Sequence, residues 1–138
     1  MKKIIIKIIY HIYAFLAKRY IKKTKPIVIW VTWSVGKTSC RMIIFQVLNQ
    51  FLSDKKVYTS PKNFNSELWL VFSIFKIEKY NPWVISLIKI FFYLVKKTFI
   101  WKKEYDIIVL EYWVDHPGDM DFLLKIAKPD YSVFTKLD

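Results

Sequence analysis

Hydrophobic and polar positions follow two rhythms along this chain, and the switches between them mark its elements. Residues 1–25 (MKKIIIKIIYHIYAFLAKRYIKKTK) are apolar with basic interruptions and read as a helix that Pro26 ends. The apolar run at 27–32 has the length and β-branched content of a buried strand. Between 37 and 53, Met42, Ile43, Phe45, Val47, Leu48, Phe51 and Leu52 recur at helical spacing. Lys55-Lys56 turns the chain into a short strand at 57–59, and a polar loop at 60–66 leads to a helix over about 67–76. A second long apolar segment, 82–100, is helical and broken by Lys89 and Lys96-Lys97. A buried strand at 106–111 ends in Glu111, a helix at 117–128 carries proline in its first turn, and a last strand covers 131–135. Strands alternating with helices predict an α/β fold with a doubly wound, mostly parallel sheet. Its ligand site is expected at the strand carboxyl ends.

One segment adds chemistry to this pattern. Trp30-Val-Thr-Trp33-Ser-Val-Gly36-Lys37-Thr38-Ser39 joins the first strand to the following helix, the context of a phosphate-binding loop (P-loop). Backbone amides of such a loop point at phosphate oxygens, and the helix N-terminus adds partial positive charge. Thr32, Trp33, Ser34, Val35, Gly36, Lys37, Thr38 and Ser39 are therefore the candidate nucleotide-binding residues. Lys37 would reach the terminal phosphates, and the Thr38 hydroxyl would ligate Mg²⁺. The strict G-x-x-x-x-G-K-[ST] spacing puts Val31 at its first glycine, so the loop is a variant.

Composition changes the picture in two ways. The net charge of +12 invites a nucleic-acid partner, yet no arginine-rich patch or aromatic-basic recognition motif accompanies it. Lysines solvating a greasy surface, or facing anionic lipid, explain the charge better. The N-terminal segment opens like a signal peptide but lacks a small-residue cleavage site. Lys7 and His11 interrupt it, so it reads as a helix lying on a membrane surface or packed on the domain rather than spanning. Peripheral membrane contact is expected through 1–25 and 82–100. A lone cysteine, Cys40, excludes an intrachain disulfide and fits a reducing cytoplasm.

The second change is a glycine deficit: two glycines stand against six tryptophans in 138 residues. It acquires meaning beside three ordered motifs. The loop resembles G-x-T-G-S-x-G-K-T-S of the Mur ligases, which add amino acids or dipeptides to the peptidoglycan precursor. Ser60-Pro-Lys-Asn63-Phe-Asn65-Ser66-Glu67-Leu-Trp69 resembles that family's Asn-rich segment. Leu110-Glu111-Tyr-Trp113-Val-Asp115-His116-Pro117-Gly118-Asp119 resembles its strand-end glutamate and His-x-Gly-Glu/Asp turn. Residues 26–138 carry the likeness, which is nearest to the branch that adds D-alanyl-D-alanine; residues 1–25 form a separate basic helix.

The resemblance implies a cytoplasmic, ATP- and Mg²⁺-dependent ligase acting on a UDP-muramoyl-peptide through an acyl phosphate. Lys37 and Glu111 would be catalytic, Thr38 and Glu111 would hold the metal, and Asn63, Asn65 and His116 would contact nucleotide or substrate. The family's substrate-gripping N-terminal domain, its downstream His and carbamoylated Lys, and its C-terminal domain are not matched. The expectation is a fragment that does not ligate alone.

Trp30, Trp33, Trp69 and Trp113 fall on glycine positions of the family, and Trp83 and Trp101 lie in turn-like contexts. Translation of UGA as tryptophan, where the cell reads glycine, would produce this pattern. Two alternatives stay open: a ligase resembling folylpolyglutamate synthase, and a non-catalytic membrane-surface protein with a relic nucleotide loop.

Overall fold

A computed structural model describes residues 2–32, 35–60, 68–79, 84–100, 102–112 and 118–135. Among them, the chain forms α1 (Lys2–Thr24), β1 (Ile27–Thr32), α2 (Lys37–Phe51), β2 (Val57–Thr59), α3 (Trp69–Ile74), α4 (Val84–Ile100), β3 (Ile107–Glu111), α5 (Asp119–Ile126) and β4 (Tyr131–Phe134). The four strands make one parallel sheet in the order β2-β3-β1-β4. β1 and β3 are central, pairing Ile27 with Ile107 through Val31 with Glu111. That position explains why both are near-continuous apolar runs, since a central parallel strand is covered on both faces.

Side chains of β3 alternate between two environments, as the pleat requires. Ile108, Leu110 and Tyr112 join a buried cluster with Val28 and Trp30 of β1. Around that cluster gather Tyr13, Leu16 and Tyr20 of α1, Leu70 and Phe72 of α3, Leu94 of α4, and Leu123 and Ile126 of α5. Glu111 belongs to the other face, which α2 covers by packing on β1, β2 and β3. The expected doubly wound arrangement is thus present, with helices on both sides of an all-parallel sheet.

Tyrosine hydroxyls tie the aromatic face together. Tyr13 donates to the Leu87 carbonyl, Tyr20 to Lys102 (3.2 Å), Tyr105 to Ile74 (2.8 Å) and Tyr112 to Ala127 (2.6 Å). Each ring contributes apolar burial while its polar end finds an acceptor, which avoids the penalty of a buried unsatisfied hydroxyl. Burial raises the Tyr112 hydroxyl well above its ordinary pKa.

Two helix boundaries differ from expectation. α3 covers Trp69–Ile74 rather than 67–76, and Lys76 just beyond it adopts a left-handed φ of 58°, which cannot continue a helix. α5 covers Asp119–Ile126 rather than 117–128: Gly118, at a φ of 97°, breaks helical continuity at its start, Ala127 turns extended at its end, and Pro117 lies outside the described residues. The strand ends at Phe134 instead of 135. Both glycines of the chain, Gly36 and Gly118, cap helix N-termini with positive φ. An added Cβ would meet nothing within 4 Å at either, so backbone conformation rather than space calls for glycine there.

The tryptophans divide. Trp30 is 5% exposed and Trp69 6%, each edge-on to the Tyr112 ring, with centroids 4.4 and 5.9 Å away. Neither has a positive φ, so nothing in the backbone there requires glycine. The Trp30 indole N–H is nevertheless buried without an acceptor among the described residues, a cost of about 1–3 kcal/mol for such a group. Trp33, Trp83, Trp101 and Trp113 lie outside the described residues.

Candidate functional site

β1 leaves the sheet at Thr32, and the chain re-enters regular structure at Lys37 on the face that α2 covers. β3, its neighbour, feeds α5 on the opposite face. The helices that follow two adjacent strands therefore lie on opposite faces, which makes the carboxyl ends of β1 and β3 a topological switch point. Ligands of open α/β sheets bind at this switch point. Glu111 is the last residue of β3 and reaches that point from the strand, while Thr38 comes from the first turn of α2.

The two meet directly. The Thr38 hydroxyl donates to the Glu111 carboxylate at 3.1 and 3.4 Å. Glu111 is 2% exposed, so its carboxylate is held out of water at the strand's end. A carboxylate this deeply buried needs partners, since desolvation of an isolated charge is costly. Besides Thr38, the Arg41 guanidinium lies 3.7 Å away, itself 2% exposed. Burial lowers the Arg41 pKa and Glu111 opposes that shift.

Lys37 is buried at the start of α2, and Val35, Gly36, Thr38 and Ser39 surround it at the surface. Gly36 closes the first turn through its carbonyl, which accepts from the Cys40 amide at 2.9 Å. Thr32 is buried, and its hydroxyl donates to the Tyr112 carbonyl at 3.3 Å, so it braces β1 against the end of β3. The structure thus gathers Thr32, Gly36, Lys37, Thr38 and Glu111 at one end of the sheet. Trp33, Ser34, Asn63, Asn65 and His116 lie outside the described residues.

Arg41 was not singled out by its sequence context. The available signal was spacing: Lys37, Thr38 and Arg41 stand at i, i+1 and i+4, so one face of α2 presents all three to the sheet. What that face meets depends on β3.

Two oxygen donors in contact, beside a buried ammonium and a helix N-terminus, suit a hard divalent cation that keeps waters and takes its other ligands from phosphates. Among the described residues no group of three or more His, Cys, Asp or Glu side chains forms an all-protein metal cage. No protein-family model matches this chain, and neither does any curated protein or solved structure.

Proposed function

We propose that the chain is the Mg·ATP-binding unit of an amide-forming ligase of the Mur type, working in peptidoglycan precursor synthesis. The observation that carries this reading is the 3.1 Å approach of Thr38 to the buried Glu111 at the sheet's switch point, next to Lys37. In this reading Lys37 and the amides at the start of α2 hold the β and γ phosphates of ATP. Thr38 and Glu111 hold Mg²⁺, which supplies charge neutralisation on the transferring group. The γ-phosphoryl group passes to the terminal carboxylate of a UDP-muramoyl-peptide, releasing ADP. The amine of the incoming residue then attacks the acyl carbon, and phosphate leaves as the amide forms. Positioning and electrostatics dominate such transfers, which is consistent with a site made of few groups on rigid elements. A protein that consumes ATP and a UDP-linked precursor works in the cytoplasm.

The loop tryptophans enter the test. An indole at 33 would stand where the loop backbone must approach phosphate, so titration uses the chain with Trp30→Gly and Trp33→Gly. Calorimetry should show Mg-dependent ATP binding. Lys37→Ala should weaken it by about 10- to 100-fold, the worth of a hydrogen bond to a charged group. Thr38→Ala with Glu111→Ala should remove the Mg²⁺ dependence. Absence of Mg·ATP affinity in the glycine-bearing chain overturns the assignment.

A further inference from the structure

α1 and α4 lie sixty residues apart in sequence and side by side in the fold. Tyr13 of α1 donates to the Leu87 carbonyl, the Arg19 guanidinium sits over the Phe99 ring at 5.5 Å, and Tyr20 donates to the Lys102 carbonyl. The contacts advance together along both helices, so the two run in the same direction. Tyr13 and Tyr20 point into the core, whereas the Arg19–Phe99 contact bridges the helices on their outer side.

That outer side is apolar beyond what a solvated helix needs. On α1, Ile8, Ile12 and Phe15 follow at i, i+4 and i+7, all exposed. On α4, Ile85, Ile88, Phe92 and Phe99 repeat the pattern, with Ile85 67% and Phe92 66% exposed. Interleaved with them are exposed Lys18 and Lys22 on α1 and Lys89 and Lys96 on α4. Together the two helices carry ten of the chain's 23 Lys and Arg residues and none of its 11 Asp and Glu residues. Among the described residues no helix is long and apolar enough to cross a membrane.

We propose that the joint outer face of α1 and α4 docks on an anionic lipid bilayer, lying in the interface plane. Ile12, Phe15, Ile85, Ile88, Phe92 and Phe99 enter the headgroup–acyl boundary, and the lysines meet lipid phosphates. Charge selects this occupant. A second copy would set two acid-free, strongly cationic faces against each other. RNA would satisfy the lysines but leave two rows of isoleucine and phenylalanine against a polar backbone. Docking in this way presents to the membrane the face opposite α2, and Thr38 and Glu111 stay clear of the lipid.

Flotation of the full chain with vesicles tests this. Vesicles of phosphatidylcholine containing about a third phosphatidylglycerol should carry the protein upward, with bound fraction falling as salt rises. Ile85→Asp/Phe92→Asp should reduce binding by about tenfold or more, because charge is placed where apolar area must be buried. Lys89→Glu/Lys96→Glu should do the same. Phe51→Asp changes an exposed α2 residue on the other face and should leave binding unaltered. Circular dichroism melts confirm that each variant is folded. No flotation with anionic vesicles, equal flotation with pure phosphatidylcholine, unchanged binding by Ile85→Asp/Phe92→Asp, or capture of RNA without vesicles would each overturn the proposal.

Discussion

The two faces of the sheet handle burial in opposite ways. Toward α1, α3, α4 and α5, β1 and β3 present Val28, Trp30, Ile108, Leu110 and Tyr112, and the polar ends among these five are the Tyr112 hydroxyl and the Trp30 indole N–H. Toward α2, the same two strands present the register partners Val31 and Glu111, and the helix answers with buried Lys37 and Arg41. One face stabilises the fold; the other spends part of that stability on holding charges out of water. The pleat separates them so finely that Leu110, Glu111 and Tyr112, three consecutive residues, serve different faces. A one-residue slip of β3 would put the carboxylate into the aromatic cluster.

Breaking the aromatic face should have the largest effect. Tyr112 is fully buried, stacks edge-on with two indoles and holds the Ala127 carbonyl. Tyr112→Ala should cost about 3–5 kcal/mol in urea unfolding, the range for a large core aromatic, and Tyr112→Phe only about 1 kcal/mol. On the charged face, Glu111→Ala leaves Arg41 buried without its carboxylate and should cost about 3 kcal/mol. Arg41→Met/Glu111→Leu should recover most of that, because a buried ion pair contributes little net stability over apolar packing. If the double variant stayed as unstable as the single one, the charged face would be as structural as the aromatic one.

Two smaller tests use pH. Burial first, then Tyr93, pushes the Tyr20 hydroxyl up to about 12 from 10.0. The folded state holds this proton more tightly than the unfolded chain, so the contribution is full below pH 10 and is lost as pH rises toward 12. Tyr20→Phe should flatten the alkaline limb of the melting profile and cost about 1 kcal/mol at neutral pH from the lost hydrogen bond. At the rim where β2 begins, the Asp106 carboxylate accepts the Lys56 amide at 2.9 Å and pairs with Lys103 at 3.1 Å. These hold its pKa below the ordinary 3.8, the backbone hydrogen bond foremost. Its contribution is present above that value and fades as pH falls through the depressed one. Asp106→Asn should therefore shift only the acid limb, and slightly, since the side chain is about a third exposed and solvent screens it.

Much of this comparison is visible in the chain, unevenly. Strands β1 and β3 are apolar runs that no helix pattern rivals, and their boundaries fall within a residue of expectation. α2 follows from apolar spacing behind a Gly-Lys-Thr turn. The errors lie where a single left-handed residue, Lys76 or Gly118, sets a boundary that periodicity does not register. At the site, Lys37, Thr38 and Glu111 stand out by their place at element ends. Arg41 does not, because an arginine one turn inside a helix is usually solvated. It is buried only because β3 brings a carboxylate to meet it.

Sequence alone determined the element types, their order and the placement of the Gly36-Lys37-Thr38 segment between a strand and a helix, because these rest on local periodicity and backbone preference. Tertiary structure decided which side each element serves. β3 inserts between β1 and β2 only through long-range strand pairing, and that insertion brings Glu111 to Thr38 and Arg41. The same long-range packing lays α1 against α4, turning two separate greasy, basic helices into one continuous surface. Neither juxtaposition has a local cause, so no window of the chain could announce it.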